Sequence, residues 1–259
     1  MSNLMSGLRT VGAAALVIAA SALQASAQIA EAPEPIEVDW AHDGIFGAFD
    51  RAAAQRGFQV YREVCSACHG LTYVAFRNLA DLGFSEEQVR ALAAEYSVED
   101  GPDDTGEMFE RPALPAEPIP PPYPNPQAAR AANGGALPPE LSLITKARAG
   151  GSDYVYSLLV GYEDPPAEAE APEGLYYNAY FPGHWIAMPP PLSEGLVAYA
   201  DGTEATVPQM AADVTTFLTW AGEPTLEQRK QSGLKVMLFL LVFTGLCYAT
   251  MRKVWADAH

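Results

Sequence analysis

The chain has 259 residues, enough for one sizeable domain with appendages, and its 15 basic and 32 acidic residues give a formal net charge of −17. A charge of this sign excludes nucleic acid as a partner and favours encounter with a basic protein. The three cysteines exclude a disulfide-rich scaffold, and the 22 prolines and 21 glycines indicate long irregular connections.

Residues 1–27 are predicted to be a cleaved secretory signal peptide. Arg9 is their only basic residue, an apolar run follows it, and Ala25, Ser26 and Ala27 match the small-residue cleavage pattern. The mature chain then begins at Gln28. The alternative is an uncleaved N-terminal anchor, for which the apolar run is short.

Helical periodicity recurs through the middle of the chain. Residues 45–64 are predicted to form an amphipathic helix whose apolar positions include Phe46 and Phe49, although Gly57 weakens its centre. Ser85 and Gln88 form a capping box at the start of a short helix. Residues 206–209 form a second capping box, which opens a helix that Gly222 and Pro224 end.

Residues 111–126 contain eight prolines, which forbid a helix and disfavour a strand. No strand-like pattern recurs elsewhere. The sequence therefore predicts a mostly α fold with long loop insertions.

Residues 233–251 are predicted to be a transmembrane helix, since Lys235 is their only charge and the run just suffices to cross a bilayer. Arg252 and Lys253 follow it, as expected on the cytoplasmic side. With an exported N-terminus, residues 28–226 become a periplasmic domain, and residues 227–259 a single-pass inner-membrane anchor with a cytoplasmic tail. A buried core helix is the alternative, and Cys247 is interpreted as a packing residue within the span.

Cys65, Cys68 and His69 form the c-type haem attachment pattern. Two thiols on adjacent turns can each form a thioether to one of the two vinyl groups of a haem. His69 then lies under the ring, where an imidazole nitrogen can ligate the iron. The motif predicts one haem c, bound covalently through Cys65 and Cys68.

Other uses of this cysteine pair fit less well. A zinc ribbon needs more ligands, and Cys247 lies in the predicted span. A thioredoxin-like pair belongs in a βαβ setting that the sequence does not show. A simple disulfide between Cys65 and Cys68 leaves His69 unexplained.

Met188 is the favoured second axial ligand because three prolines follow it and stiffen the segment, about 120 residues after His69. A thioether favours ferrous iron and raises the reduction potential. Met210 is predicted to pack in the core and Met108 to lie in an acidic loop. His184 remains an alternative ligand, and Met188 as an apolar filler is another alternative.

Haem propionates need a donor when buried. Arg130 and Arg148, between the two predicted iron ligands, are the candidates, although either can be a solvated surface charge. The remaining histidines, His42 and His259, are predicted to lie in an exposed loop and an exposed tail.

Two segments are strongly acidic. Residues 95–110 hold seven acids and residues 163–173 hold five, and neither holds a base. They are either a solvated surface or a docking surface for a basic redox partner, in which case electron transfer should slow with added salt.

The chain resembles the cytochrome c1 family, the haem subunits of cytochrome bc1 complexes. The resemblance runs from about Trp40 to the C-terminal anchor. It rests on blocks at residues 57–61, 100–102, 106–109, 122–126, 128–133, 135–139, 174–178 and 188–191. Some bacterial members carry an additional cysteine pair in the haem domain, which this chain lacks.

The resemblance implies a class I cytochrome c-like haem domain enlarged by loops. It implies Met188 as the ligand opposite His69 and Arg148, ahead of Arg130, as the propionate partner. It also implies a haem lining of Asn133, Pro139 and Tyr154.

The implied role is to accept an electron from the Rieske iron–sulfur protein and pass it to a soluble cytochrome c. The implied setting is a dimeric complex with cytochrome b and the Rieske protein. The complex is the ubiquinol–cytochrome c oxidoreductase, and the chain alone is not an enzyme. The alternatives are a free-standing membrane-anchored cytochrome that serves an oxidase, and a haem peroxidase, which needs an open iron position.

Overall fold

The computed structural model describes residues 32–167 and 169–256, and the chain divides into two units. The larger unit comprises Pro35–Val160 and the chain from Pro190 onward, and the smaller one comprises Gly161–Pro189 and the described residues up to Glu34. The predicted signal peptide and His259 lie outside the described residues.

The regular structure of the larger unit is mostly helical. Its helices are α1 (Arg51–Glu63), α2 (Glu86–Ala94), α3 (Pro126–Ala132), α4 (Ile144–Ala147), α5 (Gly151–Val160), α6 (Val207–Gly222) and α7 (Leu226–Val254). Two 3₁₀ helices, Cys65–Ala67 and Phe76–Leu82, follow α1.

Three short antiparallel strand pairs were missed by the sequence analysis. The strands are β1 (Leu71–Ala75), β2 (Ser97–Asp100), β3 (Phe109–Pro112), β4 (Pro118–Ile119), β5 (Tyr176–Tyr177) and β6 (Trp185–Ile186), which pair as β1–β4, β2–β3 and β5–β6. Pro112 and Pro118 lie at strand ends, where a missing N–H costs little. The prolines therefore shorten these strands without preventing them.

Helix α1 begins at Arg51, six residues later than predicted. The Asp50 carboxylate accepts hydrogen bonds from the amides of Ala52 and Ala53, at 2.9 and 3.1 Å, and so caps the helix at that point. The residues before it form a loop in which Phe46 is 83% exposed. The prediction that Phe46 belongs to the apolar face of this helix is therefore wrong.

The capping box before α2 is confirmed, since Ser85 and Gln88 bond reciprocally through side chain and backbone. The box before α6 is only half formed. The Thr206 hydroxyl accepts from the Gln209 amide, but the Gln209 side chain donates to Asp213 instead. Helix α6 ends at Gly222, as predicted.

The prediction that His42 lies in an exposed loop is wrong. His42 is 4% exposed, because its ring stacks on Trp40 at 5.5 Å and lies 5.2 Å from Phe49. Burial lowers the pKa of His42, so the imidazole is neutral at pH 7.

The core is organised around the crossing of α1 and α6. A Cβ atom on Gly57 would lie 2.0 Å from the backbone oxygen of Asp213, so only glycine permits this approach. Next to it, Phe58 and Tyr61 pack on Phe217, with ring centroids 5.5 and 5.8 Å apart. Gly57, which weakens the helix locally, thus brings the two helices together.

A buried ion pair fastens the same crossing. The Arg56 guanidinium contacts both carboxylate oxygens of Asp213 at 2.9 Å, and Asp213 is 1% exposed. Arg56 also bonds Asp201 at 3.0 Å, and Gln209 donates to Asp213. The positive charge of Arg56 and the hydrogen bonds to Asp213 together offset the cost of burying this carboxylate.

Helix α7 is the one helix in the described part of the chain that is long and apolar enough to cross a membrane, with a mean hydropathy of 1.9 in its most apolar window. None of that window is buried. Arg252 and Lys253 lie in its last turn. The helix fits a single C-terminal membrane anchor and covers the predicted span of residues 233–251.

We predict that Gly57→Ala lowers the free energy of unfolding by about 2 kcal/mol or more, because the new Cβ forces α1 away from α6. Urea unfolding of the detergent-solubilised chain, followed by near-UV circular dichroism, measures the change. Gly233→Ala is the control, since a Cβ there meets nothing within 4 Å. Equal stability of the Gly57 variant and the wild type would contradict the packing role of the glycine.

Candidate haem site

The three residues of the attachment motif lie on one turn at the end of α1. The backbone N–H groups of Cys68 and His69 both donate to the carbonyl of Cys65, at 3.1 and 2.9 Å. The Ser66 hydroxyl bonds the carbonyl of Arg62 at 2.7 Å and ties this turn to the helix. One short turn therefore presents two sulfur atoms and one imidazole.

The imidazole of His69 is held in one tautomer. Its Nδ1 lies 2.7 Å from the carbonyl oxygen of Pro139. A carbonyl only accepts, so Nδ1 carries the proton and Nε2 keeps its lone pair. Burial lowers the pKa of His69 and outweighs the opposing effect of this hydrogen bond. The ring is therefore neutral at pH 7, with a lone pair on Nε2 that can bind a metal ion.

The Pro139 carbonyl is itself fixed in place. The Glu140 carboxylate accepts from the backbone amides of Thr72 and Ser142, each at 2.8 Å, and from the Ser142 hydroxyl at 2.6 Å. The Leu141 amide donates to the carbonyl of Gly70 at 2.9 Å. Residues 139–142 therefore run beside the chain that leaves the motif.

The backbone of His69 has its own partner, because the buried Tyr61 hydroxyl donates to the His69 carbonyl at 3.1 Å. Tyr61 lies on α1 and packs in the helix crossing. The histidine is thus oriented from both ends, its ring by residue 139 and its backbone by α1.

The two cysteines of the motif are free thiols that do not pair with each other. Burial raises the pKa of the Cys65 thiol to about 12, and the neighbouring Cys68 adds to the rise. No group of three His, Cys, Asp or Glu side chains suited to a metal ion occurs in residues 32–167 and 169–256. The raised pKa of Cys65 weighs against a reactive redox thiol at this position.

Arg148 follows α4 and is exposed, and within the described chain its guanidinium bonds only the neighbouring carbonyl of Ala147, at 3.2 Å. Among the described residues no carboxylate lies within 4.0 Å of it. Arg130 instead donates to the carbonyl of Gly135 at 2.8 Å, across the end of its own helix. Of the two arginines, Arg148 is therefore the one whose guanidinium is available to pair with an anionic group.

The other predicted lining residues differ in how closely they are linked to the motif. Pro139 contacts His69 directly. Tyr154 is half-buried on α5, and burial raises its pKa while the positive charge of Arg148 opposes the rise. Asn133 ends α3, where its amide donates to the carbonyl of Ala129 at 2.7 Å. Among the described residues, no hydrogen bond joins Asn133 to the motif.

The smaller unit holds both candidates for the second axial ligand. Met188 is half-buried two residues after β6, and its carbonyl accepts from the Tyr162 hydroxyl at 3.0 Å. His184 lies in the β5–β6 turn at a φ of +63°, and its Nδ1 lies 3.0 Å from the carbonyl of Ala179. Its ring stacks on Tyr177 at 5.5 Å. The ring of His184 is thus held by local contacts, and Met188 is held through its backbone carbonyl.

The described residues fit a covalently attached haem on three grounds. The motif turn supplies two thiols and an Nε2 lone pair. The Arg148 guanidinium has no carboxylate partner and suits a propionate. Leu137 and Leu143, near residues 139–142, are 44% and 43% exposed and offer apolar surface to a haem.

Sequence reasoning missed Glu140, Leu137 and Leu143. A carboxylate that bonds backbone amides far along the chain leaves no periodic signal. Leu137 lies in the block of residues 135–139, which carried the family resemblance but indicated no role for this side chain, and Leu143 lies outside all of the blocks.

These features define a class I cytochrome c-like domain followed by an apolar C-terminal helix. The model of the cytochrome c1 family matches residues 40–258, and the chain belongs to that family.

Several relatives share about half of their residues with the chain. It is 53% identical to cytochrome c1 of Rhodospirillum rubrum over 235 residues, 85% of this chain and 86% of that protein. It is 52% identical to cytochrome b/c1 of Bradyrhizobium diazoefficiens over 273 residues, 95% of this chain but only 40% of that protein. It is also 52% identical to a mitochondrial cytochrome b-c1 complex catalytic subunit of Candida albicans, over 85% of this chain and 77% of that protein.

We predict that Glu140→Ala lowers the free energy of unfolding by about 1–2 kcal/mol, because four hydrogen bonds to one exposed carboxylate are lost. Urea unfolding measures the loss. Glu204→Ala removes an exposed acid with no such bonds and should leave stability unchanged. If both variants unfold alike, Glu140 does not hold the segment.

Proposed function

We propose that the chain is the electron-transfer subunit of a cytochrome bc1 complex. It carries one haem c, bound covalently through Cys65 and Cys68, with His69 and Met188 as iron ligands. The observation that supports this most directly is the motif turn. There the Pro139 carbonyl accepts a hydrogen bond from Nδ1 of His69, which leaves the lone pair of Nε2 free to bind iron.

When bound, the haem supplies a one-electron ferric–ferrous couple. His69 contributes a neutral imidazole whose basicity is raised by the bond to Pro139. The Met188 thioether favours the ferrous form and raises the potential. Arg148 neutralises a propionate, and Asn133, Pro139 and Tyr154 line the haem.

The chain accepts electrons from the Rieske iron–sulfur protein and passes them to a soluble cytochrome c. Its partners are cytochrome b and the Rieske protein in a dimeric complex. The name of the Candida albicans relative, a b-c1 complex catalytic subunit, supports this assignment. The chain alone is a redox carrier, and the assembled complex is the ubiquinol–cytochrome c oxidoreductase.

The proposed orientation in the membrane follows from the N-terminal and C-terminal segments of the chain. Residues 1–27 are a cleaved signal peptide, residues 28–226 form the periplasmic haem domain, and residues 227–259 anchor it in the bacterial inner membrane with a cytoplasmic C-terminus. The apolar surface of α7 supports the anchor. Export also brings the motif to the compartment where c-type haem is attached.

A free-standing anchored cytochrome that serves a terminal oxidase is the alternative. A subunit of a complex should leave the membrane in mild detergent together with cytochrome b, whereas a free carrier should purify alone.

The second axial ligand can be tested by substitution. Met188→Leu should lower the reduction potential on the order of 0.2 V, within the roughly 0.8 V range over which axial ligands set haem potentials. The reduced protein should then bind carbon monoxide, because the thioether no longer fills the sixth position. Optical redox titration of the purified protein measures both effects.

Two controls accompany that variant. Met108→Leu alters an exposed methionine in the acidic hairpin and should leave the potential unchanged. His184→Gln removes the rival ligand and should also have no effect. A normal potential in the Met188 variant, combined with a fall in the His184 variant, would reassign the ligand to His184.

The hairpin formed by β2 and β3 is the proposed docking surface for cytochrome c. Asp100 is paired with Arg111, which lowers its pKa, and Asp103 accepts hydrogen bonds from Thr105 and the Glu107 amide, which lower its pKa. Both carboxylates are therefore bonded within the hairpin and stabilise its structure. Within the described chain, Glu99, Asp104 and Glu107 lie on the same hairpin without an ion pair and remain to attract a basic partner.

Electron transfer to a basic soluble cytochrome c should therefore slow about tenfold between low and high ionic strength. The triple variant Glu99→Gln, Asp104→Asn and Glu107→Gln should slow the low-salt reaction and flatten its salt dependence. Stopped-flow kinetics measure both effects.

The matched control is the triple variant Glu34→Gln, Glu37→Gln and Asp39→Asn, which removes the same charge from other exposed positions. Equal effects of the two triple variants would show that only net charge matters and that the hairpin is not the docking surface.

A further inference from the structure

The loop of residues 41–48, here called the anchor loop, displays two large apolar side chains that the described part of the chain leaves exposed. Ile45 is 70% exposed and Phe46 is 83% exposed at its tip. The electron-transfer site does not account for them. Two adjacent apolar side chains at a loop tip indicate a surface that another apolar phase covers.

The anchor loop has a fixed shape. The Ala48 amide donates to the carbonyl of Ala41 at 3.0 Å and closes it. Gly44 has a φ of +67°, and a Cβ on Gly47 would lie 1.8 Å from the carbonyl oxygen of Asp43, so both turns require glycine. The exposure of Ile45 is thus part of a defined conformation.

The anchor loop is attached to the first turns of α7. The Lys230 ammonium donates to the carbonyls of His42 and Gly47. The Glu227 carboxylate accepts from the Phe49 amide at 2.9 Å and pairs with Arg51 at 2.7 Å. Both ends of the loop are therefore fixed to the helix that is proposed to enter the membrane.

The loop tip lies at the level where the apolar span begins. A cleft of about 180 Å³ separates it from α7, with Ile45 and Phe46 on one side and Lys230 and Leu234 on the other. Leu234 is within the predicted span, about 6 Å along the helix from Lys230. The charged contacts of the loop therefore lie beside the helical turns that precede the apolar span, and the apolar tip lies beside the first turn of that span.

We propose that the anchor loop inserts Ile45 and Phe46 into the interface of the bilayer that α7 crosses, between the lipid headgroups and the acyl chains. This inference rests on the proposed membrane span. The loop forms a second membrane contact, beside the helix, that fixes the rotation of the domain about α7. Lys230 stabilises it from headgroup height, as a snorkelling lysine does.

Lipid is a better match for this surface than a protein partner. The apolar side chains of the loop continue the apolar surface of α7, which the chain itself leaves uncovered from residue 236 to residue 243. Polar groups, by contrast, border the tip on the domain side: Asp43, Arg51, Glu227 and Lys230. This order of charged and apolar groups matches the interface region of a bilayer.

The test uses the full holoprotein in nanodiscs with Cys247→Ser, so that one introduced cysteine carries an NBD fluorophore. The label sites are Phe46→Cys on the loop, Leu238→Cys in the span and Met108→Cys in the acidic hairpin. Quenching by doxyl-labelled phosphatidylcholine and by aqueous iodide is measured for each, relative to the same sample without quencher.

At position 46 we expect strong quenching by shallow doxyl lipid and weak quenching by iodide, with the reverse at position 108. Strong iodide quenching at position 46 overturns the inference, as does protection from both quenchers, which indicates a protein cover. If position 238 shows no lipid quenching, the membrane span itself fails. Lipid quenching at position 238 but not at position 46 defeats the loop inference alone.

A second variant tests the attachment to α7. Lys230→Met removes the two hydrogen bonds to the loop and should reduce lipid quenching at position 46 at least twofold. Arg229→Met is the matched control, because Arg229 pairs with Glu223 and does not bond the loop. Unchanged quenching in the Lys230 variant would overturn its role in holding the loop at the interface.

Discussion

The close approach of α1 to α6 at Gly57 is the constraint on which the larger unit depends. A glycine with no Cβ lets the backbone of Asp213 come within van der Waals distance of α1. The Arg56–Asp213 pair then forms across the same crossing, and Tyr61 packs against Phe217. Because the attachment motif follows α1 directly, any shift of that helix moves both cysteines and His69 with it.

The orientation of His69 depends on a second long-range arrangement. Its ring is held by a carbonyl 70 positions away, and that carbonyl belongs to a segment that Glu140 fastens to the chain leaving the motif. The arrangement costs little in desolvation, since the imidazole is neutral and each backbone group involved has a partner. Preorganising one tautomer before the metal binds reduces the entropy lost on ligation.

Charged side chains of the larger unit hold two local structures in place. The acidic hairpin keeps Asp100 and Asp103 engaged in its own structure, which leaves a rigid platform for the remaining carboxylates. At the start of α7, Lys230 and Glu227 are used to hold a loop against the helix. Rigid attachment at both places suits a carrier whose cofactor must keep a defined distance from its donor and acceptor.

The sequence by itself determined the attachment motif, the capping box at Ser85, the end of α6 at Gly222 and the apolar C-terminal helix. Each depends on residues a few positions apart, so spacing alone carries the signal. The apolar pattern placed the start of α1 six residues too early, because apolar positions continue on the N-terminal side of the Asp50 cap.

Only the tertiary structure decided that His42 is buried, that Gly57 sits at a helix crossing and that Glu140 holds the Pro139 segment. It also decided that Arg148 has no carboxylate partner among the described residues. These properties arise from contacts between distant parts of the chain, such as the 157 positions that separate Arg56 from Asp213. No local pattern encodes which distant groups will meet, because that depends on how the whole core packs.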